Sequence, residues 1–189
     1  MKYKLSGKWK SGYAFDLHTL ASTYLGPDEF GHDRFDNTRS EMGELVYQLK
    51  YKRDQSTIPK IIELLTAITG IEKFDFIIPV PSSRARVFQP VDEIATALGK
   101  QRGVPVLIGF LAKESRGNEL KNVTDPDQKE KLLKDAIKIA GDRKVKGKNI
   151  LLVDDLYDSG ATLNACCSIL YEEAGAKGVF VLTMTKTRT

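Results

Sequence analysis

The stretch that most constrains the fold is Ile150–Thr162, ILLVDDLYDSGAT. Consecutive apolar residues stop at two adjacent carboxylates, and a loop of small residues follows. An unbroken apolar run bounded by turn signals reads as a strand. Gly147 turns into it, and Asp154 and Asp155 end it. Beyond the loop, Ala161–Ala174 places Leu163, Cys166, Cys167, Leu170 and Tyr171 at helical spacing, and Gly175 stops the pattern. GVFVLTMT, from Gly178, reads as a final strand. Strands separated by helices pair in parallel through right-handed crossovers, which makes an open α/β sheet.

The same alternation extends towards the N-terminus. Met42, Leu45, Val46 and Leu49 predict a helix from Glu41, with Ser40 at its start. Ile58, Ile61, Ile62, Leu65 and Ile68 predict a second, with Thr57 before it, Pro59 in its first turn and Gly70 closing it. Phe74–Val80 reads as a buried strand ended by Pro81, and SSRARVF as a polar loop. Val87, Val91, Ile94, Ala95 and Leu98 predict a third helix, closed between Gly99 and Gly103. Val104–Phe110 reads as a short strand. Residues 111–130 are charged and nearly free of apolar side chains, and long loops of this kind in compact domains are often lids. A short helix at Gln128–Lys134 and a strand at Ala136–Ala140 follow. Residues 1–40 mix aromatics, glycines and polar residues without a clean period, and read as short strands and loops.

Composition narrows the class. A chain of 189 residues with 41% hydrophobic residues suits one domain with a sizeable core, or a domain with a modest extra lobe. The net charge of +4 fits an anionic small ligand as well as a nucleic acid, and decides neither. The two cysteines, Cys166 and Cys167, are neighbours. Adjacent cysteines rarely bridge each other and cannot staple a fold, and without a nearby histidine they make no zinc site. A reducing, cytoplasmic setting is expected. The start lacks the apolar stretch of a signal peptide, and no run is long enough to span a membrane. His18 and His32 have no second ligand at metal spacing and read as polar surface positions.

In open α/β sheets, ligands bind off the carboxyl ends of the strands. The loops after Val80 and after Asp155 both lie there. The loop Tyr157, Asp158, Ser159, Gly160, Ala161, Thr162 runs straight into a helix. Its backbone N–H groups and the helix N-terminus suit an anion, and Ser159 and Thr162 add hydroxyl donors. No lysine stands in it, so it is not the nucleotide P-loop, and no G-x-G-x-x-G fingerprint occurs. Adjacent carboxylates beside a phosphate cradle can accept hydrogen bonds from two vicinal sugar hydroxyls. Together they describe a ribose 5-phosphate site.

ILLVDDLYDSGAT resembles the phosphoribosyl pyrophosphate (PRPP) motif of the type I phosphoribosyltransferases. FIIPVPSSRARVFQPVDEIATAL, ELVYQLKYKRD and VLTMTKTR are similar to the corresponding stretches of its competence-associated ComF subgroup, without that subgroup's four-cysteine zinc module. The resemblance implies a type I phosphoribosyltransferase fold: an open, mainly parallel sheet flanked by helices. It implies a small hood over residues 1–40 and a core over 41–189. Asp154 and Asp155 would bind the ribose hydroxyls, and Tyr157–Thr162 the 5′-phosphate. Pro81, Ser82, Ser83 and Arg84 would form the pyrophosphate loop. Residues 111–130 would close over the reaction, with Lys113, Arg116 or Lys121 offering a cation to the pyrophosphate. Mg2+ would bind mainly through PRPP, and a homodimer is expected.

The activity so implied is transfer of ribose 5-phosphate from PRPP to a nitrogenous acceptor with release of pyrophosphate. The alternatives are a non-catalytic PRPP sensor and an accessory factor of DNA uptake or processing. Nothing in the residues names the acceptor. The basic stretch DRKVKGK around Arg143 would point to nucleic acid only as part of a larger basic stripe.

Overall fold

The chain begins with β1 (Tyr3–Lys4) and β2 (Ser11–Leu17), then an antiparallel ribbon of β3 (Thr19–Pro27) and β4 (Asp33–Arg39). Helix α1 (Glu41–Tyr47) runs into a π-helical turn, Gln48–Lys52, and α2 (Ile58–Leu65) follows. Then come β5 (Phe76–Pro79), α3 (Pro90–Arg102), β6 (Leu111–Lys113), α4 (Pro126–Ala136) and β7 (Ile137–Ile139). β8 (Asn149–Tyr157), α5 (Ala161–Glu172) and β9 (Gly178–Lys186) complete it. This computed structural model describes residues 3–82, 88–114, 126–141 and 145–188.

The central sheet has the order β1-β2-β9-β8-β5. β2, β9, β8 and β5 run parallel, and β1 is an antiparallel edge. The apolar run of β8 is continuous because both faces are covered. Ile150 and Leu152 pack on the side of α5, with Cys166, Ile169 and Leu170. Leu151 and Val153 pack on the other side, with Val46, Ile61 and Leu98 from α1, α2 and α3. Cys166 and Cys167 are buried free thiols, as helix-core residues should be.

Local chemistry explains the element ends. The Ser40 side chain accepts from the Gly43 backbone N–H at 3.0 Å, and Glu41 and Glu44 sit in the favourable first turn of α1. Gly43 is required by packing: a Cβ there would lie 2.2 Å from the His18 carbonyl oxygen, so α1 rests directly on the end of β2. α3 begins at Pro90 and stops at Gly103, which takes a φ of 68°.

The structure departs from the sequence reading at several places. Residues 1–40 divide in two: β1 and β2 are strands of the central sheet, and only the ribbon β3–β4 stands outside it. The strand character of β2 is masked because its buried positions are Gly12, Ala14 and Asp16. α2 ends at Leu65, five residues before Gly70, and the buried Ile68 packs from the turn beyond. Val104–Phe110 is no strand. It makes one bridge, Val106 to Ile77, between the bonds Ile77 N–H to Pro105 O and Leu107 N–H to Ile77 O. Pro105 has no N–H to extend the ladder, and Gly109, at a φ of 71°, turns the chain away. β8 runs past Asp155 to Tyr157, since Leu156 and Tyr157 still pair with Thr185 and Lys186 of β9. Of residues 111–130, expected as one loop, Leu111–Lys113 are β6, paired with β7, and α4 begins at Pro126; residues 115–125 lie outside the described residues. Val87, expected to open the third helix, lies outside the described residues, as does Arg143.

Candidate functional site

Alternation along β8 sends its two acids to opposite faces. Asp155 points towards α1 and is buried, with 7% of its surface exposed. Its Oδ2 lies 2.7 Å from the Nζ of Lys50, which the π-helical turn after α1 delivers on the same face of the sheet. Such turns recur at functional sites. Burial alone would pull the Lys50 ammonium down, but the charge and hydrogen bond of Asp155 outweigh it and leave the pKa above the ordinary lysine value.

Asp154 points towards α5, and its Oδ1 accepts from the Asp155 backbone N–H at 2.8 Å. Burial, and then the negative charge of Asp155, hold its carboxyl well above the usual carboxylate range. Lys50 and Lys113 offset this only in part. Lys113, the last residue of β6, is lowered by burial, with Cys166 and Asp154 its opposing influences. A carboxyl held up and an ammonium held down, around one cavity, mark a site whose charges await a ligand.

The loop after β8 is braced on both sides. Gly160 takes a φ of 77°, and a Cβ there would meet the Tyr157 ring at 2.9 Å. The Tyr157 ring stands edge-on to Trp9, 6.4 Å between centroids. Thr187 donates through its N–H to the Tyr157 carbonyl at 2.9 Å and through its hydroxyl to Asp158 Oδ1 at 3.2 Å. Ser159 Oγ accepts from the Ala161 N–H at 3.4 Å. The N-terminus of α5 thus opens onto a rigid, small-residue rim.

Two adjoining cavities meet at the acids. One, of about 290 Å³, is lined by Lys50, Pro81, Ser82, Lys113, Asp154 and Asp155, with Gln89 and Pro90 from the start of α3. The other, of about 400 Å³, is lined by Tyr157–Leu163 together with Lys113, Leu133 and Asp154. Lys113, Asp154 and Thr162 belong to both. The fold therefore brings together Asp154, Asp155, Lys113, Pro81, Ser82 and the Tyr157–Thr162 loop. Ser83, Arg84, Arg116 and Lys121 lie outside the described residues.

Sequence reasoning did not single out Lys50, Trp9 or Gln89. The segment ELVYQLKYKRD carried the only signal for Lys50, and it carried it as a resemblance rather than as a role. His18 is not the surface residue expected: it is half-buried, and its Nδ1 lies 3.2 Å from Thr185 Oγ1. His32 is exposed, with Nδ1 3.5 Å from Asp28 Oδ2. Among the described residues no group of three or more His, Cys, Asp or Glu side chains is assembled to hold a metal. None of the described helices is long and apolar enough to cross a membrane.

This architecture is the type I phosphoribosyltransferase fold, a mostly parallel sheet flanked by helices. The chain belongs to the phosphoribosyl transferase domain family, which matches residues 50–187. It is similar to the adenine phosphoribosyltransferase of Thermoanaerobacter pseudethanolicus, at 18% identity and a TM-score of 0.47 over 87% of this chain and 95% of that one. It is also similar to a hypoxanthine phosphoribosyltransferase of Staphylococcus aureus, at 14% identity and a TM-score of 0.44 over 68% and 62% of the two chains. A hypothetical protein from Neisseria gonorrhoeae with bound ppGpp matches at 22% identity and a TM-score of 0.44, over 71% and 70%. Comparison with curated proteins finds no match.

Proposed function

We propose that the protein transfers ribose 5-phosphate from PRPP to a nitrogenous acceptor and releases pyrophosphate. One observation carries this reading: adjacent acids, Asp155 buried and Asp154 partly exposed, stand where two cavities meet at Asp154, one rimmed by an anion-accepting helix start, the other by Pro81, Ser82 and Lys113. The larger cavity takes the 5′-phosphate on the Tyr157–Thr162 loop. The other takes the pyrophosphate, with Lys113 as its cation.

Asp154 and Asp155 accept the ribose hydroxyls and hold negative charge beneath a ring turning cationic as pyrophosphate leaves. Asp154 is suited to this because its ionisation awaits neighbouring positive charge. Lys50 holds the Asp155 carboxylate in one orientation.

The donor set fits magnesium carried by the substrate. PRPP oxygens and water would supply most of the hard oxygen ligands this ion takes, and Asp154 and Asp155 would be the protein groups nearest it. When bound, the ion neutralises charge on the leaving pyrophosphate.

The stretches FIIPVPSSRARVFQPVDEIATAL, ELVYQLKYKRD and VLTMTKTR support membership of the ComF-like subgroup. The unpaired buried thiols suit a reducing, cytoplasmic compartment. Exposed Leu20, Tyr24, Leu25, Phe30 and Phe35 on the ribbon β3–β4 support a homodimer.

The test is thermal unfolding with magnesium, with and without PRPP. At a ligand level of about a hundred times its dissociation constant, the melting temperature should rise by roughly 5–11 °C. The Asp154→Asn, Asp155→Asn double variant should show no such rise. An equal rise in the folded double variant would remove the site from consideration. Pyrophosphate release with a panel of bases then reads turnover.

A further inference from the structure

His18 stands at the carboxyl end of β2, and its backbone N–H donates to the Lys186 carbonyl at 2.8 Å. The sheet order β2-β9-β8-β5 puts the acid pair between two flanks. On one flank β5 ends at Pro79 and leads into Pro81 and Ser82, which line the cavity assigned to the leaving pyrophosphate. On the other flank is His18. Displacement at a ribose carbon brings the nucleophile in on the side away from the leaving group, which is the flank of β2; His18 is not part of either cavity's lining, but it feels the charges of Lys50 and Asp155, which line the first.

The hydrogen bonds around Thr185 fix the state of the imidazole. Thr185 is fully buried, and its hydroxyl donates to the Asp155 carbonyl oxygen at 3.0 Å. A hydroxyl has one proton. Towards His18, 3.2 Å away, the same oxygen can therefore only accept, so Nδ1 carries the imidazole proton. Nε2 is left with an unshared pair. Burial, and then the charge of Arg39 at the end of β4, lower the pKa of His18; Lys50 in the π-helical turn adds to this, while Asp155 on β8 and Glu44 on α1 oppose it. The ring stays neutral at physiological pH, and Nε2 stays an acceptor.

We propose that His18 Nε2 accepts a hydrogen bond from the incoming acceptor, which is therefore a base presenting a ring N–H or an exocyclic amino group. This assignment rests on the phosphoribosyl transfer proposed above. It excludes nicotinate, which has neither group, as the acceptor.

The experiment uses the full chain carrying His32→Gln, which leaves His18 as the one histidine, labelled with nitrogen-15. Ribose 5-phosphate and magnesium pyrophosphate fill the site without turnover. Adenine, hypoxanthine, uracil or nicotinate is then added. The expected spectrum shows the Nδ1–H tautomer, with Nε2 and not Nδ1 shifting on addition of at least one of the first three and with no response to nicotinate. His18→Asn keeps an amide N–H for Thr185 but lacks Nε2. In steady-state assays it should raise KM for the responding base about tenfold, the loss of one hydrogen bond, and leave KM for PRPP unchanged. The Nε2–H tautomer overturns the inference. So does an Nε2 unmoved by all the bases in a protein that takes up PRPP, a response to nicotinate, or an equal rise in both KM values. Failure of PRPP to shift the melting temperature defeats the transfer reading itself, and the inference with it.

Discussion

Replacing Lys50 by methionine leaves the Asp155 carboxylate in place without its cation. In the ion pair, the Lys50 side chain is 31% exposed and that of Asp155 9%. Fully exposed pairs contribute about 0.2–1 kcal/mol. Removing one partner of a fully buried pair costs about 3–5 kcal/mol, because a charge is stranded away from water. One buried acid and one partly open lysine put Lys50→Met between these limits, at about 2 kcal/mol. Asp155→Asn should cost less, since the freed ammonium can turn towards solvent.

The two single variants and the double variant, compared with the parent in urea, should give a coupling of about 1.5 kcal/mol. Salt should weaken it little, because a buried pair is poorly screened. Lysine gains from the pair, so the sign of the pH effect follows. The contribution is fully present below the unfolded lysine value of about 10.4, and is lost as pH rises through the raised folded value. A coupling under about 0.5 kcal/mol, or one abolished by salt, would show an ordinary surface pair. Lys50 would then have no part in holding Asp155.

Asp154 gives a pH dependence of the same sign in a far more acidic window. Its raised pKa means a contribution to stability that is full below about pH 3.9 and lost as pH rises. Asp154→Asn should therefore melt above the parent near neutral pH, with the gap closing in acid, while PRPP no longer shifts it. A gap that is absent at neutral pH would refute the burial argument. Gly160→Ala places a side chain in left-handed backbone and against the Tyr157 ring. It should cost about 1–3 kcal/mol in urea unfolding and weaken the PRPP-induced thermal shift. A stable variant with the parental shift would separate this loop from phosphate binding.

What was legible in the chain was local. The apolar run of β8, the small-residue loop and the period of α5 each lie within about a dozen consecutive residues, where spacing and turn chemistry act directly. Asp154, Asp155 and the Tyr157–Thr162 loop were found from them. β2 was not assigned to the sheet, because Gly12, Ala14 and Asp16 fill its buried positions and put no large apolar side chain there. Val104–Phe110 misled for the converse reason: its residues suit a strand, but Pro105 denies it the ladder.

The sequence by itself determined the alternation of strand and helix, the site of the paired acids and the loop that follows them. These depend on residues a few positions apart and on the conformations each residue type permits. Tertiary structure alone decided which groups face those acids. Lys50 reaches Asp155 because α1 and its π-helical turn pack on one face of the sheet, and Trp9 braces Tyr157 from another edge. His18 meets Thr185 because β2 lies beside β9. Such contacts follow from strand order and register. Burial of both sheet faces sets these across the whole chain, and no local pattern encodes them.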